Sequence, residues 1–241
     1  MPDTAPYALI FDMDGTLIDN TAYQARAFQL LFRDLGLTTN ARRLLERLNG
    51  MPAGNILKTV FDHEVPKKKI ETYADQREFL YRTLYWDKRR EVAGLTAFLQ
   101  AARAAGFRLG LGTGSGNDTI GYIIDHLHLR QYFDVVVTKD DVDKGKPHAD
   151  TYVLAARELG VPPGRCLVFE DALLGEQAAY KANMRCVALT TSLKAAKFQA
   201  PLAVIQDFTE ITPQQVRELL EQHPETPKPS LELAKRQYMR L

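Results

Sequence analysis

Short apolar runs alternate with helical text along most of this chain. Tyr7 to Phe11 (YALIF), Arg108 to Thr113 (RLGLGT), Asp134 to Thr138 (DVVVT), Arg165 to Glu170 (RCLVFE) and Arg185 to Thr190 (RCVALT) are compact and rich in β-branched or aliphatic side chains. Runs of this kind, with helical patterns between them, predict a parallel sheet covered by helices on both faces. The expected class is therefore α/β, with a doubly wound parallel sheet. Leu202 to Phe208 (LAVIQDF) is a candidate further edge strand, and TPQQVRELLEQH predicts a closing helix with Thr212 as N-cap and Pro213 at its first position.

One interval breaks the rhythm. Between Ile18 and Val92 there is helical text only, as in AYQARAFQLLFRDLG, ARRLLERLNG and IETYADQREFLYRTLYWDKRR. This predicts a helical cap, residues 20–91, inserted into a core made of residues 1–19 and 92–223. GMPAGN (Gly50 to Asn55) is the expected irregular loop within it. A tail, residues 224–241, opens with prolines and ends in a basic amphipathic stretch that no core pattern claims.

Composition narrows the classes. The 241 residues, 45% of them hydrophobic, suffice for one large domain with an insertion. A formal net charge of +1 gives no electrostatic case for nucleic acid or a membrane surface as the main partner, which favours small ligands. The start MPDTAPYALIF carries no basic leader, so the expected address is cytoplasmic, and the expected state is a monomer or weak homodimer. Cys166 and Cys186 sit in similar apolar contexts and are expected to fill the core.

The ends of the expected strands carry the chemistry. In an open parallel sheet ligands bind at the strands' carboxyl ends. The first strand delivers Asp12 and Asp14, whose like charges repel by roughly 1 kcal/mol in water and about 4 kcal/mol at a protein surface, so a cation is expected nearby. The second ends in GTGSGN, offering Thr113, Ser115 and the accessible amides around Gly114 as an anion cradle. The third leads to Lys146, whose following proline helps fix the start of a helix, and the fourth delivers Glu170 and Asp171. This set suits phosphoryl transfer through a carboxylate. Asp12 would attack phosphorus, Asp14 would protonate the leaving oxygen and then activate water, and Mg²⁺ held by Asp12, Asp171 and a carbonyl, with Lys146 opposite, would neutralise charge.

DMDGTLID, GTGSG, GKPHADTY and FEDALLG, in this order with helical text inserted after the first, resemble the haloacid dehalogenase superfamily in its helical-cap phosphatase and phosphomutase branch. The resemblance covers Tyr7 to about Thr190. It implies Asp12 as nucleophile, Asp14 as general acid/base, Thr113 as phosphate-binding hydroxyl and Lys146 as charge stabiliser. It implies Mg²⁺ held by Asp12, the Asp14 carbonyl and Asp171, with Glu170 a direct or water-mediated contributor. Through LNGMP, GTGSG and RQYFDVVVTKDDV the chain is similar to sugar-phosphate phosphatases of the fructose-1-phosphate or 6-phosphogluconate type. The competing resemblance, to β-phosphoglucomutase, meets Ala53 where that enzyme's cap carries an arginine for a second phosphate. The implied partner is a small phosphomonoester, bound by Gly114 and Ser115 below and by Asn49 and Gly50 from the cap loop. A phosphomutase and a non-catalytic phosphometabolite sensor are the alternative functions.

Other templates fit poorly. An EF-hand fails because Leu17 occupies the glycine position and Tyr23 the closing glutamate, and the dinucleotide fingerprint fails at Asn117. Lys67 to Lys69 and Lys88 to Arg90 are expected to be solvated helix faces, and His148 a helix-start residue. Asn49 is either part of a helix-ending Asn-Gly pair or a contact to sugar hydroxyls. Two departures from the family's pattern remain: Asn183, expected to take a left-handed helix end, and Glu176, which no sequence argument explains.

Overall fold

The computed structural model describes residues 6–224. The tail lies outside the described residues except for its first residue. Among the described residues the strands β1 (Ala8–Phe11), β2 (Arg108–Gly112), β3 (Val135–Val137), β4 (Cys166–Glu170), β5 (Arg185–Leu189) and β6 (Ala203–Ile205) form one sheet. All pairings are parallel and the order is β3-β2-β1-β4-β5-β6. The chain winds outward from β1 to β3, then crosses back to lay β4 on the other side of β1. The topological switch point therefore falls between β1 and β4, where such sheets bind ligands.

Strand side chains alternate between two cores because successive residues point to opposite faces. Leu9 and Phe11 of β1 join Leu167 and Phe169 of β4 on one face, with the Phe11 and Phe169 rings stacked at 4.9 Å. Ala8, Ile10, Cys166, Val168 and Cys186 lie on the other. Both cysteines are free and buried, as core filling requires. Each face is covered by helices: α5 (Leu95–Ala104) and α9 (Pro213–Gln222) contribute to the first cluster, α7 (Asp150–Leu159) and α8 (Leu173–Lys181) to the second. Short α6 (Asn117–Ile120) follows β2.

Four helices lie between β1 and α5: α1 (Thr21–Asp34), α2 (Ala41–Leu48), α3 (Ala53–Lys58) and α4 (Lys67–Tyr85). They bury a cluster of their own around Phe28, Phe32, Leu45, Ile56 and Ile70. The two chain crossings into this insertion run side by side, joined by an antiparallel bridge between Ile18 and Glu91 and by the Val92 amide on the Leu17 carbonyl at 2.8 Å.

Several local expectations meet their physical causes. Thr212 caps α9 reciprocally with Gln215, with Pro213 behind it. Asn183 takes φ 58° at the end of α8, and the Met184 amide reaches back to Ala179. GMPAGN is not irregular throughout. Pro52 stands at the N-cap position and α3 starts at Ala53, so Gly54 and Asn55 fall in its first turn, where the Asn55 and Ile56 amides both donate to the Pro52 carbonyl, at 2.9 and 3.2 Å. The last strand is shorter than Leu202 to Phe208, because the Asp207 carboxylate takes the Thr209 amide at 2.8 Å and turns the chain.

Candidate active site

Asp12 directly follows β1, and its amide continues the ladder onto the Phe169 carbonyl at 3.0 Å, so it stands beside the end of β4. There Glu170 and Asp171 meet it. One oxygen each of Asp12, Glu170 and Asp171 lie within 4.8 Å of one another, and all three side chains are buried. Lys146 arrives from the loop before α7, and its ammonium donates to Asp12 Oδ1 and Glu170 Oε1, both at 2.6 Å. Glu170 is more fully engaged than expected. Its Oε1 also accepts from the Tyr152 hydroxyl at 2.7 Å, and its Oε2 takes the amides of Asp171 and Ala172 at 3.0 Å each. Four donors occupy a carboxylate's four lone-pair directions, so Glu170 acts here as the anchor of Lys146.

Burial and charge oppose one another in this cluster. Burial pushes Asp12 from 3.8 up to about 7, with the Glu170 and Asp14 charges adding to it and Lys146 pulling the other way. Asp171 is raised well above the carboxylate range by burial and by the charges of Glu170 and Asp12. Burial works against the Lys146 charge as well, but Asp12 and Glu170 overcome it and hold the ammonium above its ordinary range. One lysine among three carboxylates leaves negative charge in excess, and the donors are hard oxygens in a buried pocket. That is the donor set a divalent cation such as Mg²⁺ takes, so the residues fit the metal that their pattern implies.

Asp14 sits in the turn beyond Asp12. Its Oδ1 accepts from the carboxamides of Asn20 at 2.5 Å and Gln24 at 3.1 Å, and its Oδ2 from the Ser115 hydroxyl at 2.7 Å. Asn20 also donates to the buried Tyr81 hydroxyl of α4 at 2.7 Å. Thr113 is fully buried, and its hydroxyl accepts the Ser115 amide at 3.1 Å, shaping the loop that carries Gly114 and Ser115.

The cap loop closes over these groups. Asn49 donates to Asp171 Oδ2 at 3.2 Å, and the Gly50 carbonyl approaches Gly114 so closely that a Cβ on Gly114 would lie 2.8 Å from it. Between the insertion and the sheet lies a cavity of 570 Å³. Asp12, Asp14, Gly114 and Ser115 form its floor; Asn49, Gly50, Ala53 and the apolar residues Phe28, Ile56 and Ile70 form its roof. Arg77 and Glu78 line it as well: the buried guanidinium of Arg77 lies 4.7 Å from the Phe28 ring and pairs with Glu78 at 2.8 Å, while Glu78 accepts from Thr119 of α6 at 2.9 Å and so links roof to floor.

The structure thus brings together Asp12, Asp14, Thr113, Gly114, Ser115, Lys146, Glu170, Asp171, Asn49 and Gly50. Sequence reasoning missed Asn20, Gln24, Tyr152 and Ser192, the last donating its hydroxyl to Asp171 Oδ2 from the segment after β5; these contacts are made from separate helices and a distant loop. Lys67 to Lys69 are exposed, as expected of a solvated face, although Lys67 reaches the cavity rim. Arg89 is different: it lies 4.4 Å from the Trp86 ring and 4.5 Å from Tyr122 and donates to the Tyr122 carbonyl at 2.9 Å, because a guanidinium stacks on aromatic faces. His148 lies in the turn that precedes α7.

A parallel sheet with paired carboxylates and a buried lysine at its switch point, beneath a helical roof, defines a carboxylate-centred α/β enzyme. Residues 9–189 match the family model for haloacid dehalogenase-like hydrolases, and the chain belongs to that family. It is 34% identical over 180 residues to the fructose-1-phosphate phosphatase YqaB of Escherichia coli (strain K12), covering 74% of this chain and 94% of that protein. It is 32% identical over 182 residues to the putative phosphatase YhcW of Bacillus subtilis (strain 168), covering 75% of this chain and 81% of the relative. A β-phosphoglucomutase structure from Clostridium difficile has the same fold, with a TM-score of 0.81 at 20% identity, covering 90% of this chain and 98% of the other. The chain is a phosphoric monoester hydrolase. No helix among the described residues is long and apolar enough to cross a membrane.

Proposed function

We propose that this chain is a Mg²⁺-dependent phosphatase of small phosphorylated sugars or sugar acids, working through an aspartyl phosphate on Asp12. The observation that carries the reading is Asp12 itself: 3% exposed, yet lining the cavity floor, with one oxygen held by Lys146 and the other left for phosphorus. Asp12, Asp171 and the Asp14 carbonyl would hold the metal, while Glu170, its lone pairs taken by Lys146, Tyr152 and two amides, anchors the lysine rather than contributing through water. When bound, Mg²⁺ supplies the positive charge that keeps these carboxylates ionised and offsets the charge of the phosphate dianion.

The remaining steps belong to the chain's own residues. Residues 20–91 act as a cap over the site. The Gly114 amide and the Thr113 hydroxyl, whose oxygen is held by the Ser115 amide, receive the phosphoryl oxygens. Asp14, oriented by Asn20, Gln24 and Ser115, gives a proton to the departing sugar oxygen and later takes one from water, which attacks the phosphorus of the aspartyl phosphate and restores Asp12. The cap loop from Asn49 to Ala53 contacts the sugar. Ala53 places a methyl group on the cavity wall, where a mutase would need a cation for a second phosphate, and this favours hydrolysis over phosphoryl return. A sensor would have no need of Asp14 as a proton carrier.

The test is phosphate release with Mg²⁺ from a panel of sugar phosphates, including β-glucose-1-phosphate with a trace of the 1,6-bisphosphate. Release from one or two members, lost in Asp12→Asn, is expected. Isomerisation without release would establish the mutase instead, and a tenth of the activity surviving in Asp12→Asn would sink the assignment.

A further inference from the structure

The segment that joins β5 to β6 is tied to the carboxylate cluster at one end and to α8 at the other. At the near end the Ser192 hydroxyl donates to Asp171 Oδ2, and the Thr191 hydroxyl donates to the Gly15 carbonyl. Gly15 has φ 83°, and a Cβ there would run into the Asp171 carboxylate and the Ser192 hydroxyl. Only glycine fits a backbone in that conformation and that close. At the far end Glu176, fully buried on α8, accepts the Gln199 amide at 3.0 Å on each oxygen and the Ala200 amide at 3.1 Å, and takes the Tyr180 hydroxyl at 2.7 Å. Between the two ends Leu193 and Phe198 pack with Ala188 in a small apolar cluster. Glu176, which nothing in the sequence explained, is thus a staple for this segment.

We propose that Ser192 is a positioning residue for the metal: it fixes the Asp171 carboxylate in the orientation that takes Mg²⁺, and Glu176 holds the segment that presents it. The inference rests on the metal reading given under Proposed function. Asp171 is buried just beyond the end of β4; Ser192 and Asn49 donate to its Oδ2 and the Thr16 hydroxyl lies 3.5 Å from its Oδ1, so the carboxylate that clusters with Asp12 is kept from turning. Ser192 is itself held at 2.6 Å by the hydroxyl of Thr21, the first residue of α1. The base of the helical roof and the metal ligand therefore share one hydrogen-bond chain, Thr21 to Ser192 to Asp171.

The experiment is calorimetric titration of Mg²⁺ into EDTA-stripped protein, with metal-free thermal unfolding run beside it. Loss of a hydrogen bond that orients a metal ligand costs about 10- to 100-fold in affinity, so Ser192→Ala should weaken Mg²⁺ binding by that factor. Its metal-free Tm should stay within a few degrees of wild type, the small loss expected for removing one hydrogen-bond donor from a buried carboxylate, and at saturating Mg²⁺ its KM for the sugar phosphate should be unchanged. Ser192→Thr, which keeps the hydroxyl, should restore most of the affinity, and Glu176→Gln should weaken it in the same direction. Wild-type Mg²⁺ affinity in Ser192→Ala overturns the proposal while leaving the phosphatase reading intact. Failure of the wild-type protein to bind Mg²⁺ overturns both this inference and the metal reading.

Discussion

Replacing Lys146 by methionine keeps the aliphatic stem and removes the charge. Lys146 is 1% exposed, and its ammonium makes two contacts of 2.6 Å, to Asp12 and Glu170. Removing one partner of a buried ion pair costs about 3 to 5 kcal/mol because the remaining charge is left uncompensated. For a domain of this size each kcal/mol lowers Tm by roughly 2 to 4 °C, so the metal-free variant should melt roughly 6 to 20 °C below wild type at pH 8. The deficit has a definite pH dependence. Asp12 already lies at about 7 in the wild type, raised chiefly by burial, and loss of the lysine raises it further. At pH 5.5 the variant's Asp12 is neutral and no longer needs a partner, so the gap to wild type should narrow as pH falls. The assay is thermal unfolding by circular dichroism in EDTA at both pH values. A deficit that is the same at pH 5.5 and pH 8, or absent at both, would refute the placement of Lys146 as the counter-charge of a buried carboxylate cluster.

Other consequences can be checked directly. In the metal-free wild type, the raised Asp12 and Asp171 make the folded state bind protons more tightly than the unfolded chain. The Asp12 contribution is complete below the ordinary carboxylate value of 3.8 and is lost as pH rises through about 7, and Asp171, raised well above its ordinary range, acts in the same direction, so Tm in EDTA should fall between pH 5 and pH 8, and saturating Mg²⁺ should flatten that decline. A Tm that rises over this interval without metal would contradict the electrostatics. Gly114→Ala puts a methyl group 2.8 Å from the Gly50 carbonyl. Overpacking of about 1 to 3 kcal/mol should appear as a roughly 5- to 150-fold loss of kcat/KM with little change in Tm, since the cap loop can retreat. Asn49→Ala should change relative turnover across a sugar-phosphate panel, and an unchanged ranking would remove the cap loop from specificity.

The sheet was legible because its strands are buried on both faces. Leu9, Phe11, Leu167 and Phe169 must serve one core while Ile10 and Val168 serve the other, and that double demand writes a continuous apolar run into the chain. The carboxylates at the ends of β1 and β4 were legible for a related reason, since Asp12, Glu170 and Asp171 interrupt apolar text, although Glu170 and Asp171 alone would also read as an ordinary strand end and helix cap. Contacts between distant segments left no such trace. Asn20 and Gln24 occupy ordinary helix-start positions, and Tyr152 is indistinguishable from a core residue of α7 until Glu170 appears 2.7 Å from its hydroxyl. Glu176 was visible as an anomaly but not as a staple, because, Tyr180 aside, its partners are backbone amides of a loop, which carry no residue-type signature.

The central claim is that Asp12 carries the phosphoryl group. The most direct measurement is mass spectrometry of protein quenched in acid during steady turnover of its best sugar-phosphate substrate, with the peptide spanning Asp12 and Asp14 fragmented to locate the added group. One phosphoryl mass on Asp12, none on Asp14 and none in Asp12→Asn is the predicted result. Turnover at full rate with the phosphoryl group on another residue would contradict the account.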